Sequence, residues 1–456
     1  MANDEQLYGR ATELALANFT VSGRPTPLAV VHALARIKAA MATANRRFAE
    51  ETGIDDELAA AIAAAAAEVA DGRCDEQFGV DVFQTGSGTS TNMNVNEVVA
   101  TLATRRLAAA DPPSGRTVHP NDHVNASQST NDTFPTAIRI AALVGVRDVL
   151  VPGLTRLAEA LGGRADAFAT VVKAGRTHLM DASPIMLGHE FGGYRSQVAE
   201  AIERIADTTR RVASVPLGGT ATGNGLNAPV GAAAIAIGEL NRSTGLSLRP
   251  AADRFATQGG QDALVELSGQ VRAAAVGLFK IANDIRLLAS GPRTGFAEIV
   301  LAELQPGSSI MPGKVNPVLC EVVTQVAVQV VGNDAAVAFA GTQGTLELNT
   351  YLPVMAVNLL DSINLLGRAA DAFATRCVDL IEADVERCRA YAELSPSVAT
   401  SLNLVIGYDA AAGVVKEALA SGRSIRAVLV ERHLVDEAQL EGLLDVDRLA
   451  AGPGDG

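Results

Sequence analysis

The chain has 456 residues, too many for one compact core and enough for two to four domains. With 37 basic against 51 acidic side chains the net charge is −14, which disfavours nucleic-acid or anionic-membrane binding, since both need basic patches. Apolar residues make up 48%, with 12 phenylalanines and no tryptophan, so the apolar content is mainly Ala, Val and Leu and suits closely packed helices.

Residues 1–10 are acidic and carry no signal-peptide pattern, and Cys74, Cys320, Cys377 and Cys388 show no CxxC or zinc-finger spacing. Both features predict a cytoplasmic protein with reduced thiols, and no cysteine or carboxylate cluster has metal-ligand spacing, so no metal is expected. Amphipathic patterns cover 28–52 and 55–70, the second opened by Asp55 and Asp56. The Ala-rich run 59–67 is far short of a membrane span. Residues 80–84 read as a short extended piece leading to the loop 85–92, with a helix expected from about 94 to 110. The GxG in that loop lacks GK[ST], a third glycine and βαβ surroundings, so it is weak as a nucleotide signal. Its other reading is an anion cradle at a helix N-terminus.

The run 118–132 is polar throughout and offers no core, and a long helix is expected to begin at Phe134-Pro135. Long apolar-periodic segments follow at 136–169, 183–212, 231–245, 258–290, 318–339 and 346–373, with Pro152 expected to kink or break the first. Strand signals are nearly absent. The Ala/Val stripes of these helices face more than one side, which predicts a bundle that completes its burial against copies of itself. The glycine-rich run 218–225 reads as a flexible turn. Shorter helices at 383–394, 408–420, 424–432 and 436–444 mark a small C-terminal domain, and 452–456 a frayed tail. The whole is all-α in three parts: an N-terminal helical domain with anion-binding loops (1–132), a central helical bundle (133–380) and a small C-terminal helical domain (381–456).

Four polar clusters interrupt this chain, at 87–94, 119–132, 175–181 and 307–316. The last lies in GSSIMPGKVNP (307–317), where two prolines and two glycines exclude helix and strand. A surface linker is the bland alternative, but a single cation among small polar groups suits an anion site. Of the six histidines, His178 has the best case for chemistry, sitting beside Thr177 in a short loop after an apolar run. His32 and His433 fall in helical patterns, and His189 is assigned to structure.

The segments QTGSGTSTNMNVNE (84–97), HPNDHVNASQSTNDTFPTA (119–137), GRTHLMDA (175–182) and GSSIMPGKVNP resemble, in order and spacing, those of the class II fumarases in the fumarase/aspartase superfamily. The similarity spans essentially the whole chain. It implies a three-domain all-α fold whose central long-helix bundle forms the core of a homotetramer, with each active site shared between three subunits. It also implies a hydro-lyase of the tricarboxylic acid cycle that interconverts fumarate and L-malate without a cofactor, through an aci-carboxylate intermediate. That chemistry needs a base for the carbon-bound proton, fixed donors for the developing charge and an acid/base for water.

Carried over by position, Ser308 is the carbon-side base and His178 the acid/base acting with water, while Glu321 is placed to hold an imidazole. Ser87, Gly88, Thr89, Ser129, Thr130, Asn131, Thr177, Ser309, Lys314, Val315 and Asn316 would bind substrate. His119, Pro120, Asn121 and Asp122 match a second anion site. Two residues depart from the family pattern: Thr130 stands where a second serine is more usual, and Cys320 is uncommon before Glu321. Aspartases, the nearest alternative as aspartate ammonia-lyases, typically replace His178 by Gln and Gly313 by Ala. A non-catalytic scaffold is disfavoured because it has no need of a buried lysine at Lys314.

Overall fold

The computed structural model describes residues 6–452, so the first half of the acidic start and the expected tail beyond Gly452 lie outside the described residues. Helices dominate, with four two-stranded sheets between them. The chain forms two compact units, each assembled from three separate stretches. The first comprises Met1–Pro152, Ala201–Ala275 and Val326–Arg368; the second comprises Gly153–Glu200, Val276–Gln325 and Ala369–Gly456.

In the first unit, helix Leu28–Asn45 packs against Asp56–Ala70, Ala232–Thr244 and Thr130–Gly145. It buries Val30, Leu34, Ile37 and Met41 among alanines whose small side chains let neighbouring helices approach. Asp55 caps the next helix by accepting from the Leu58 N–H at 3.0 Å, as its sequence predicts. Gly231 and Gly245, at φ 95° and 68°, bound Ala232–Thr244. Across the long helices, Ser268 Oγ donates to Asp334 Oδ1 at 2.6 Å and Asn333 Nδ2 to Ser362 Oγ at 3.1 Å.

Several expectations need correction here. Helix Thr89–Ala108 starts at Thr89 rather than near 94, because Gly88 closes the preceding turn and leaves the small polar residues in the helix's first turns. Residues 80–84 form no strand beyond one bridge, Pro25 to Asp81. The run 118–132 does reach the interior, since Val124, Thr130 and Asp132 are buried. Its following helix begins at Thr130, with Ser129 as cap, and Pro135 lies inside it. At Pro152 the chain stays helical, so the expected break does not occur, but regular α winding is interrupted just before it. A π turn, Val146–Leu150, precedes Val151–Ala167, and its wider winding makes room next to a residue that has no N–H to give.

The second unit holds the main departure from the sequence expectation, an antiparallel hairpin of Val172–Thr177 and Met180–Met186. Its C-terminal part has its own core of Val172, Val398, Leu402, Val414, Leu429 and Leu440, among others. The expected short helices are present as Val385–Leu394, Tyr408–Ser421, Ile425–Glu431 and Glu437–Leu443, followed by Val446–Ala451. All four cysteines are free and buried. Among the described residues one helix, Val318–Gly341, is long and apolar enough to cross a membrane by length and composition, and only 33% of its most apolar window is buried within this chain.

Candidate active site

The candidate residues of the first unit sit where two helix N-termini meet. The Gly88 N–H donates to Thr85 O at 2.7 Å, which closes a tight turn, and Gly88 takes φ 82°. A Cβ there would lie 2.3 Å from the Phe134 ring, and one on Gly86 would lie 1.7 Å from Thr350 O, so neither position tolerates a side chain. The turn delivers Ser87 and Thr89, whose hydroxyls are 2.8 Å apart, to the start of Thr89–Ala108.

The second N-terminus is a capping box. Ser129 Oγ accepts from the Asn131 N–H at 3.2 Å, and Asp132 Oδ1 accepts from the Ser129 N–H at 3.0 Å. Asn92 joins the two helices by donating to Thr130 Oγ1 at 3.1 Å, and Asn131 Nδ2 donates to Ala221 O at 2.8 Å. Two helix starts with small hydroxyls and backbone N–H groups present a positive end to a carboxylate.

Sequence reasoning missed what lies beneath. Lys38 is fully buried and donates to Asn125 Oδ1 at 2.9 Å and Gln128 Oε1 at 3.0 Å. Burial pushes its pKa down to about 7, against the opposing pull of Asp132. Asp132 is itself fully buried, and that burial raises its pKa against hydrogen bonds from the Ser129, Thr220 and Gly218 N–H groups and the charge of Lys38. Its Oδ2 accepts from Gly218 at 2.8 Å and Thr220 at 3.0 Å. The glycine-rich run 218–225 is therefore pinned at that end rather than being only a flexible turn. The one sequence signal for Lys38 was a cation in the middle of an apolar helical pattern.

The residues matched to a second anion site lie on a separate, mainly exposed π turn, Pro120–Val124. His119 Nδ1 accepts from the Asp122 N–H at 3.1 Å, and His123 Nδ1 accepts from the His119 N–H at 2.9 Å. Burial lowers the His123 pKa, partly countered by the Asp122 charge. Asn121 and Asp122 point to solvent-exposed positions of this turn.

In the second unit, His178 and Leu179 form the tip of the hairpin, at φ 57° and 60°. Two consecutive left-handed residues are the hallmark of a type I′ turn, here built without glycine or asparagine. Thr177 and His178 are exposed, and the imidazole has no hydrogen-bond or ion-pair partner among the described residues. The Glu321 carboxylate is exposed on helix Val318–Gly341 and holds no imidazole among the described residues. The hairpin is rooted by a buried charge cluster. Arg176 donates to both oxygens of Glu298 at 2.9 Å and stacks over Phe296 at 4.3 Å. Lys173 donates to Glu190 at 2.9 Å and lies 3.4 Å from Glu298, which is completely buried.

The loop 307–317 closes on itself. Gly307 N donates to Lys314 O at 2.9 Å, and Asn316 Nδ2 donates to Gly307 O at 2.7 Å. Ser308 Oγ accepts from the Ile310 N–H at 3.3 Å and the Met311 N–H at 3.2 Å, which leaves its proton free to be removed. Ser309, Lys314 and Val315 are exposed, and Ile310 is 83% exposed. Lys314 is thus not the buried lysine expected from the sequence; in one chain that description belongs to Lys38 and Lys173. Cys320 is buried behind the loop and shares a hydrogen bond with Cys377, whose thiol pKa is pushed up first by that bond and then by burial. Among the described residues no three His, Cys, Asp or Glu side chains gather as metal ligands.

Comparison with known proteins places this geometry in context. A family profile described as "Lyase" matches residues 2–332, and one described as "Fumarase C C-terminus" matches residues 398–451. A protein named fumarate hydratase class II from Corynebacterium glutamicum is 50% identical over 97% of this chain and 93% of its own. The Mycobacterium tuberculosis protein of the same name is 51% identical over 97% of this chain and 91% of its own. Among solved structures, the class II fumarase of Schistosoma mansoni superposes with a TM-score of 0.93 at 36% identity, covering 98% of this chain and 96% of that one.

Proposed function

The chain belongs to the class II fumarate hydratase family, and we propose that it interconverts fumarate and L-malate at a site built from the loops described above. The full-length 50% identity to a named fumarate hydratase is the observation that carries this reading. In the dehydrating direction Ser308 takes the proton from the carbon next to a carboxylate of L-malate. The electron pair moves into that carboxylate, and Lys314, Asn316 and nearby N–H groups stabilise the doubly charged aci form. His178, acting through water, gives the departing hydroxyl its proton, and the carbon–oxygen bond breaks to leave fumarate and water. Ser87, Thr89, Ser129, Thr130, Asn131, Thr177 and Ser309 hold the substrate's carboxylates and hydroxyl. Glu321 orients the imidazole across subunits, and His119–Asp122 form a second anion site.

The active unit is a cytoplasmic homotetramer with three-domain subunits divided at 132/133 and 380/381. Exposed apolar side chains on the long helices support it, among them Val276, Phe279, Val328 and Phe339. So does the exposure of His178 and Lys314, whose side chains have no hydrogen-bond or ion-pair partner among the described residues. An aspartate ammonia-lyase is the competing reading, and His178 and Gly313 speak against it. Fumarate formation followed by absorbance from L-malate and from L-aspartate, side by side, tests the choice. Rapid turnover of L-malate with none of L-aspartate is expected; the reverse result removes the assignment.

A further inference from the structure

We infer that Lys38 is a positioning residue for the substrate-carboxylate loop Ser129–Asn131, acting through Asn125, Gln128 and Asn92. This inference rests on the proposed substrate role of that loop.

Lys38 extends from the middle of helix Leu28–Asn45 and is fully buried. A buried cation held by two neutral amides is an expensive arrangement for packing alone, because an apolar side chain of the same length fills the space without desolvation. Its two bonds are directed at one segment. Gln128 accepts from Lys38 through Oε1 while its Nε2 donates to Val124 O and Ala126 O at 3.0 and 3.1 Å. The lysine thus fixes the orientation of an amide that folds the loop just before Ser129.

Asn125 carries the other branch. Its Oδ1 accepts from Lys38 at 2.9 Å and from Asn92 Nδ2 at 3.3 Å. The same Asn92 Nδ2 donates to Thr130 Oγ1 at 3.1 Å. Asn92 therefore holds the hydroxyl of Thr130 in the acceptor role, and the Thr130 proton is left to donate to a ligand oxygen. Both the ammonium and the neutral amine of Lys38 can donate these bonds. Asp132 is the charged group acting on Lys38, so the lysine's service is orientation of the loop more than attraction of a distant dianion.

The test uses the full-length assembled protein and initial rates of fumarate hydration. Lys38→Met keeps the length and removes the donors. It is expected to raise KM for fumarate at least tenfold while kcat falls less than threefold, with assembly and circular dichroism unchanged. A folded Lys38→Met protein with KM within twofold of wild type overturns the inference, as does an equal fall in kcat with KM unmoved. Asn125→Ala breaks one branch while leaving Lys38 bonded to Gln128, and a KM rise of several-fold is expected. It decides the question should Lys38→Met fail to fold, and an unchanged KM again overturns the inference. Asn131→Ala separates this inference from the reading it rests on. If it leaves KM unmoved, the loop is not a substrate contact at all; if it raises KM while Lys38→Met and Asn125→Ala do not, only the role of Lys38 is wrong.

Discussion

Ser308 keeps its proton uncommitted while its oxygen accepts two backbone N–H groups, so a base there depends on the surroundings that close over it. If it removes the carbon-bound proton, Ser308→Ala lowers kcat by several orders of magnitude, and a competitive dicarboxylate still binds because Lys314 and Asn316 remain. His178→Asn is expected to cost ~10²–10⁴-fold in turnover and to flatten one limb of the pH profile. Lys314→Ala is expected to weaken binding and turnover together if its charge meets the carboxylate in both states. Steady-state kinetics with inhibitor binding on the three variants checks this pattern, and near-normal turnover of Ser308→Ala makes the loop a lid instead. Lys38 gives a second residue-level outcome, this one in stability. Its pKa falls from 10.5 in the open chain to about 7 in the folded one, so between those values the unfolded chain binds the extra proton. Stability contributed at this site therefore rises with pH across that window and is lowest below about pH 7, where the buried ammonium must be charged. That shift corresponds to a difference on the order of 5 kcal/mol. The melting temperature of wild type relative to Lys38→Met should climb from pH 7 to pH 9; a flat difference would show that the group does not change its protonation on folding.

The elements differ in how plainly the sequence announces them. Long helices such as Asp56–Ala70 and Ala232–Thr244 were legible because their period, caps and bounding glycines agree locally. The loop 307–317 was legible because glycine and proline leave no regular alternative. The hairpin at His178 was not, since its turn uses His and Leu at positive φ where a turn signal calls for Asn or Gly. Nor was the support of the Ser129 loop, because the partners of Lys38 lie 87 and 90 residues away and those of Asp132 lie 86 and 88 residues away. Local pattern carries no record of such distant pairings. Glu298 is the same kind of residue. It directly precedes the strand Ile299–Val300 that leads into the Ser308 loop, and it clasps Arg176 in the His178 hairpin. One buried carboxylate thus ties the roots of the two segments proposed to carry Ser308 and His178 into the reaction. Glu298→Gln leaves Arg176 and Lys173 short of a counter-charge, and a loss of ~3–5 kcal/mol is expected from breaking a buried pair this way. Thermal denaturation against wild type measures it, and a loss under 1 kcal/mol would mean that water or Glu190 takes over the role.

At the scale of the whole molecule, the apolar helix surface is too large for one chain in water. Val328 and Phe339 on Val318–Gly341 are 66% and 69% exposed, and Val276 and Phe279 on Asp262–Leu288 are also exposed. Two environments accept such a helix, a lipid bilayer or other copies of the same helix. Against the bilayer, the same helix buries Asn333 and Asp334, which bond Ser362 and Ser268 on neighbouring helices. The proposed self-association accounts for both faces: the polar contacts hold the helices of one chain, and the exposed valines are left for another copy. Each buried valine contributes roughly 1.5–3 kcal/mol, and symmetry repeats that gain at every equivalent contact. Val328→Asp places an unpaired carboxylate in each copy of the interface. If the proposed tetramer is the active unit, the substitution is expected to shift the particle to smaller species by light scattering at micromolar concentration, with activity falling at least 100-fold in parallel. Circular dichroism should stay helical, since Val328 is exposed in the isolated chain. Activity that returns as protein concentration rises would tie catalysis to assembly. A tetrameric, fully active Val328→Asp protein would show that this face is not buried between subunits.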